Sequence, residues 1–284
     1  MRVAFATCAA LPDGTPDDRP AAELLGADVH VWDDPSVDWD VYDRVVIRST
    51  WDFTDAPDAF LAWCGRVGRE RLRNRPDLVA FNADKRYLGE LSCATVPTAV
   101  VAPGEPPPAL DGEIVVKPSV SAGARLTGRF NAAHHDEARA LVARIHATGR
   151  TALVQPYLAS VDLHGEAALV HFAGELSHVL RKRAVLRPDE VAPVAPGGRG
   201  EAAVMGDPDL VVAGEADAAE RAFAGQVLAE IAERFGTPLY ARVDIVRGPD
   251  GEPLLLELET IEPAFYFARA PGAVERFAAA VRAS

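Results

Sequence analysis

Four charged residues near the end of the chain have the types and spacing to hold a metal-bound anion. LYARVDIVRG (239–248) and EPLLLELE (252–259) are apolar runs flanking Pro249, Asp250 and Gly251. Asp-Gly between two such runs is a hairpin signal. With Asp250 and Gly251 as the loop, Asp244 lies opposite Glu257 and Arg242 opposite Glu259. Strand alternation then puts all four on one face, with Val243, Ile245, Leu256 and Leu258 on the other. Like charges facing each other across a ladder are unfavourable, and one arginine cannot balance three acids. A hard divalent cation can. All-oxygen ligands suit magnesium, which is usually held by one or two carboxylates plus substrate phosphates, so a nucleotide is expected. The plain alternative is an arginine–acid ladder on a solvated face; the apolar continuation IEPAFYF weighs against it.

A nucleotide needs cations, a loop over its phosphates and a slot for its base. Lys117 closes the apolar strand EIVV and opens KPSVSAGARLTGR, whose small residues let backbone amides approach phosphates. This is neither a GxxxxGK[ST] nor a GxGxxG loop, and on its own it reads as a hairpin loop. Lys85 lies in a helix and reads first as a surface lysine. Lys182 alternates with Arg181 and Arg183 along a strand, so it faces away from both, toward an exposed edge or a nucleotide. QPYL (155–158) ends a strand in a way that suits a base-binding hinge.

The elements that must position these residues follow from periodicity. RVAFAT (2–7), ADVHVW (27–32) and DRVVIRS (43–49) read as strands, with a short helix AAELLG ending at Gly26. A helix follows from Asp55, read as its cap, with Pro57 in its first turn. This alternation gives a parallel α/β domain over residues 1–80. Residues 82–92 read as a helix, 96–101 and 152–158 as strands, and 135–148 as a helix. EAALVHFAGELSHVLRKRA forms two strands turning at Ala173–Gly174. Residues 185–215 read as an irregular loop and 216–236 as a helix. The remaining divisions are a central subdomain over 81–155 and a C-terminal one over 156–284.

The chain has 284 residues, 49% hydrophobic and 25% charged, with net charge −13. That charge disfavours nucleic acid as a partner. No apolar run approaches the roughly 20 residues needed to span a bilayer, and MRVAFATC reads as a first strand rather than a secretory signal. Three widely spaced cysteines point to thiols in a reducing cytoplasm. The His134–His135 pair has no third ligand at metal spacing, and the arginine-rich run 66–75 reads as a solvated basic face.

The ordered set Lys85, Lys117 with its loop, Gln155-Pro156-Tyr157-Leu158, Asp162, Arg242-Val-Asp244 and Glu257-Leu-Glu259 resembles the ATP-grasp superfamily over nearly the whole chain. The resemblance implies two α+β subdomains gripping ATP. It implies that Lys85 and Lys117 contact phosphates or the adenine edge, that 155–158 form the adenine hinge, and that Asp162 binds ribose. Asp244, Glu257 and Glu259 would hold two magnesium ions, with manganese as a substitute, and Arg242 would stabilise acyl-phosphate and tetrahedral states. Three departures stand out: Glu259 where Asn is common, Gln155 where Glu is common, and a glycine-poor loop. IRSTWDF, HGEAALVHFAGELSHVLRK, Gly197–Gly198 and LELETIEP are similar to the cycloserine-biosynthesis branch, whose members activate an O-ureidoserine-like amino acid and close an isoxazolidinone ring.

The acceptor is expected at the rim of the first domain, because ligands bind at the carboxyl ends of strands in open α/β sheets. There Arg48 is placed to hold a substrate carboxylate, with Ser49 and Thr50 beside it; the alternative is that Trp51 plugs an interface and Asp52 caps a turn. Arg269 is a further candidate, whereas Cys8 lacks a base and is not read as a nucleophile. The expected activity is an ADP-forming carbon–nitrogen ligase acting on an amino-acid-like small molecule in antibiotic biosynthesis. Its catalytic groups would be Arg242 and Lys117, and a homodimer remains open. A small-molecule kinase and a nucleotide-binding module without turnover are the competing readings.

Overall fold

The computed structural model describes residues 1–192 and 202–284, so the Gly197–Gly198 pair lies outside the described residues. The first sheet is parallel, in the order β2-β1-β3-β4, from β1 (Val3–Thr7), β2 (Asp28–Val31), β3 (Arg44–Ser49) and β4 (Leu72–Arg73). Its helices are α1 (Arg19–Leu25), α2 (Pro57–Val67) and α3 (Pro76–Asn82). Gly26 ends α1 in the left-handed region that a Cβ disfavours. Asp55 does not cap α2: Ala56 stands at the cap without a side-chain bond, and Asp55 instead pairs with Arg125 and Arg150. The helix expected over 82–92 is instead a short 3-10 turn that follows α3. Pro76 starts α3, and the turn runs over Lys85–Glu90, where Asp84 accepts the N–H of Arg86.

The other two sheets are antiparallel. The central one runs β11-β7-β6-β8-β5, from β5 (Ala99–Val101), β6 (Ile114–Pro118), β7 (Gly128–Phe130), β8 (Ala152–Pro156) and β11 (Glu190–Val191). It packs on α4 (His135–His146) through Phe130, Leu141 and Ile145. The last runs β12-β10-β9-β13-β14, from β9 (Glu166–Phe172), β10 (Glu175–Lys182), β12 (Val211–Gly214), β13 (Tyr240–Arg247) and β14 (Pro253–Glu259). The expected turn at Ala173–Gly174 is present, both residues having positive φ. The segment 185–215 is less irregular than expected, since β11 crosses back to the central sheet and β12 joins the last one.

The short α5 (Ser160–His164) follows β8, and two longer helices close the molecule. A capping box between Asp217 and Glu220 starts α6 (Ala218–Phe235), which covers one face of the last sheet through Phe223, Val227 and Ile231. On the other face, Tyr240, Phe172 and Phe265 meet Phe5 of β1 and Phe277 of α7 (Ala273–Ala283). One core therefore joins the first domain to the last. Among the described residues no helix is long and apolar enough to cross a membrane.

Candidate active site

The three sheets enclose a cavity of about 770 Å³. On its floor β13 and β14 pair Arg242 with Glu259 and Asp244 with Glu257, as the sequence predicts. The route to that register differs from the expected one. The hairpin tip is wider than Asp250–Gly251: the Gly248 N–H donates to the Glu252 carbonyl at 2.8 Å, leaving a three-residue loop. A bulge then shifts the pairing between Asp244 and Ile245, which faces Leu255. The extra residue is Leu256. It leaves the aliphatic face and lines the cavity, while Leu255 takes its place in the core.

Arg242 is the centre of the acidic group. Its guanidinium donates to both Asp244 oxygens at 2.8 Å, to Glu259 and to the Ala264 carbonyl at 3.2 Å. Burial opposes its charge, but Asp244 and Glu259 hold it protonated. Glu259 does less well: burial, with Asp244 and Glu257 adding, pushes its carboxyl up to about 7 against the pull of Arg242. Burial also acts to raise Glu257, yet Lys85 and Lys117 overcome it and hold that carboxyl low. Among the described residues no three His, Cys, Asp or Glu side chains form a ready-made metal cluster. The acids are paired with protein cations instead. Their all-oxygen donor set and the penalised charge on Glu259 fit a hard divalent ion, provided the acids re-pair around it.

Three lysines face these acids. Lys85 donates to the Ser121 carbonyl at 2.6 Å and lies 3.3 Å from Glu257, so it is buried rather than a surface lysine. Lys117 also lines the cavity, and burial, with Lys85 and Lys182 nearby, lowers its pKa. Lys182 lies 3.2 Å from Glu166. Its strand β10 sits between β12 and β9, so the exposed-edge reading fails. The loop after Lys117 takes left-handed backbone at Gly123, Ala124 and Leu126. Arg125 on that loop pairs with Asp55 of the first domain at 3.2 Å, and Arg150 pairs with the same carboxylate at 3.4 Å.

At the other end, Gln155, Pro156, Tyr157 and Leu158 line the cavity as expected of a hinge. Gln155 donates to Thr98 at 2.8 Å, and the Tyr157 N–H to the Glu113 carbonyl at 2.7 Å. Asp162 needs correction as a ribose ligand. It is bound by two nitrogens of Arg129, at 3.0 and 2.8 Å, and accepts the Tyr157 hydroxyl at 2.7 Å. It buttresses the hinge instead of facing the cavity.

The substrate assignments Arg48, Ser49 and Thr50 also need correction. All three are buried and none lines the cavity. Arg48 pairs with Asp18 at 2.9 Å, donates to the Pro263 carbonyl at 2.9 Å, and stacks 3.8 Å from the Phe265 ring. Ser49 bonds Thr7 at 2.7 Å. The strand-end rule located the right rim, but the chain turns before its side chains reach the cavity. Trp51, Asp52, Phe53 and Asp55 do reach it. Arg269 donates to the Pro208 carbonyl. Sequence reasoning missed Glu262, which lines the cavity beyond Glu259; its nearest signal was a charged residue within the apolar run IEPAFYF.

A parallel first domain and two antiparallel sheets around a Lys- and acid-lined cavity define an ATP-grasp ligase. Two solved structures share the fold at low identity. An ATP-grasp RimK domain protein from Sphaerobacter thermophilus has TM-score 0.64 at 16% identity over 99% of this chain and 100% of that one. A D-alanine–D-alanine ligase from Bacillus anthracis, complexed with ATP, has TM-score 0.63 at 11% identity over 100% and 96%. The crystal structure of D-cycloserine synthetase DcsG is nearer, at TM-score 0.84 and 34% identity over 99% of this chain and 98% of that one. Residues 3–74 match the family of the DcsG N-terminal domain. The cycloserine biosynthesis protein DcsG of Streptomyces lavendulae is 36% identical over 274 residues, 90% of this chain and 88% of that protein. The chain belongs to the DcsG family of ATP-grasp, ADP-forming carbon–nitrogen ligases.

Proposed function

We propose that the chain activates the carboxylate or ureido group of a serine-derived amino acid by phosphorylation from ATP, then closes or joins it through nitrogen, as in cycloserine-type biosynthesis. The observation that carries this reading is the convergence of Lys85, Lys117, Lys182 and Arg242 on the carboxylates of Asp244, Glu257 and Glu259 within one cavity. ATP would supply the γ-phosphoryl group, and Asp244, Glu257 and Glu259 would hold two magnesium ions (or manganese), whose charge would offset that of the phosphates. Lys85 and Lys117 fix the phosphates, and residues 155–158 hold the base. A substrate oxygen bonds to the γ-phosphorus and ADP leaves. A nitrogen then bonds to the activated carbon, loses a proton, and phosphate leaves. Arg242 faces the oxygens on which negative charge grows in both steps, so its role is charge stabilisation in a pre-formed site. The Lys117 loop, tied to Asp55 by Arg125, keeps water from the activated group.

The test is an ADP-release screen with amino acids and their ureido and hydroxamate derivatives. Release is expected only with an amino-acid-like acid, accompanied by an amide or ring product. No turnover with any of them sinks the proposal, and a stable phosphorylated product would make the chain a kinase. Asp244→Asn and Glu257→Gln are expected to abolish magnesium-dependent ATP hydrolysis; survival of that activity overturns the metal assignment.

A further inference from the structure

Residues 261–267 cross the cavity's acceptor end without forming a strand or a regular helix until the short turn at Phe267. Their backbone is nevertheless fixed almost atom by atom. The carbonyl of Ile261 accepts from the Tyr240 hydroxyl at 2.8 Å, and that of Glu262 from the Trp51 indole at 3.3 Å. The next three accept from Arg48 at 2.9 Å, Arg242 at 3.2 Å and His178 at 2.7 Å. The N–H groups of Phe265, Tyr266 and Phe267 all donate to one carboxylate, Asp17, at 3.0, 2.9 and 2.7 Å. Five successive carbonyls and three successive amides are thus held by side chains from both domains. A loop held this firmly presents its side chains in fixed positions.

Ile261, Glu262, Ala264 and Tyr266 of this segment line the cavity, and Glu262 is the charged one among them. The other cavity charges are largely matched: Lys85 with Glu257, Lys182 with Glu166, Arg242 with Asp244 and Glu259, and Arg125 with Asp55. Asp52 takes the Trp32 indole N–H at 2.8 Å. Glu262 makes no ion pair among the described residues, and its own backbone N–H is the donor beside it. Burial, with Glu259 and Glu257 adding, pushes its carboxyl up to about 8 against the pull of Lys85. A held, partly buried carboxylate with no ion pair of its own, next to the acids of the reaction centre and drawn on only by the more distant charge of Lys85, is placed to receive a cation from outside the chain.

We infer that Glu262 is the specificity-determining residue for the acceptor, and that its carboxylate receives the α-ammonium of the amino-acid-like substrate. This rests on the proposed ligase reading and extends it, because it assigns the group by which an amino acid is told from the corresponding acid without the α-ammonium. Trp51 and Arg48 are positioning residues: they hold the backbone of Glu262 and of the residue after it.

The test measures binding by calorimetry to the full chain loaded with magnesium and a non-hydrolysable ATP analogue. The probes are O-ureidoserine and its counterpart carrying hydrogen in place of the α-ammonium. The wild type is expected to prefer O-ureidoserine by on the order of 10- to 100-fold, the worth of a buried charge-assisted bond. Glu262→Gln is expected to lose that preference while binding the des-amino acid and the ATP analogue as before; retained analogue binding shows that the variant is folded. Glu262→Asp is expected to recover part of the preference. A preference that survives in Glu262→Gln, or an equal loss for both acids, overturns the role of Glu262 alone. If neither acid binds the wild type, the substrate class is wrong and this inference falls with it.

Discussion

The β13–β14 hairpin and the segment that follows it, 261–267, are neighbours in sequence and both present carboxylates to the same cavity, yet they are held by different means. In the hairpin, backbone groups satisfy one another: β13 pairs with both β14 and β9. In the following segment, the partners are side chains up to 250 positions away, from Asp17, Arg48, Trp51, His178 and Arg242. A ladder fixes side-chain direction by a rule of two. The tethered segment has no internal rule, and side chains of the first and last domains together supply its shape.

Single substitutions should act unequally on the two regions. The largest effect is expected from Arg242→Ala, because Arg242 serves both regions. ADP release should fall roughly 100- to 1000-fold, as when a charge-stabilising donor is removed from a pre-formed site. Next is Arg48→Ala, which leaves Asp18 buried without its partner and should cost about 3–5 kcal/mol by denaturant unfolding. If only the tethered segment depends on Arg48, the milder Arg48→Lys should raise the KM for the amino acid and leave that for ATP unchanged. Equal changes in both would show that the hairpin leans on Arg48 too.

A third effect separates the regions by pH. The hairpin strands carry no histidine, whereas His178 bonds the Phe265 carbonyl. Burial holds His178 below its usual value and His171 at about 4. Between about pH 4 and 6.5 an unfolded chain therefore binds more protons at these sites than the folded one. Their contribution to stability rises with pH across that window and is flat above it, reaching at most roughly 3 kcal/mol for His171. Glu259 and Glu262, with raised values, act oppositely: they lose stability as pH rises from about 4.5 through 7 and 8. The readout is thus the difference between the parent and His178→Gln, expected to shrink as pH falls from 6.5. The smallest effect is expected from Asp55→Asn, whose partners are partly exposed: below about 1 kcal/mol, with a modest rise in the KM for ATP that vanishes at high salt.

What was legible in the sequence follows the same division. The facing of Arg242, Asp244, Glu257 and Glu259 followed from period-2 alternation around Asp-Gly. It held although the loop has three residues, because the bulge at Leu256 offsets the wider tip. Leu256 itself was placed on the wrong face, since nothing local distinguishes a bulged leucine from a paired one. Lys85, Lys117 and residues 155–158 were placed by resemblance, and the structure brings them to one cavity. Arg48 and Asp162 were misplaced for a shared reason. Each has the right chemistry at the right distance along the chain, but a long-range partner, Asp18 or Arg129, takes it up. Glu262 was missed because its meaning depends on which charges remain unmatched after folding.

The three amides held by Asp17 have a use as a reporter. Amides outside regular structure ordinarily trade hydrogen with solvent quickly, but those of Phe265, Tyr266 and Phe267 should be slow for as long as one carboxylate grips them. Deuterium uptake at these positions would time the parting of the first domain from the last, in a protein that needs no label and no substrate. Because the three share a single acceptor, they should be released together and take up deuterium at one common rate.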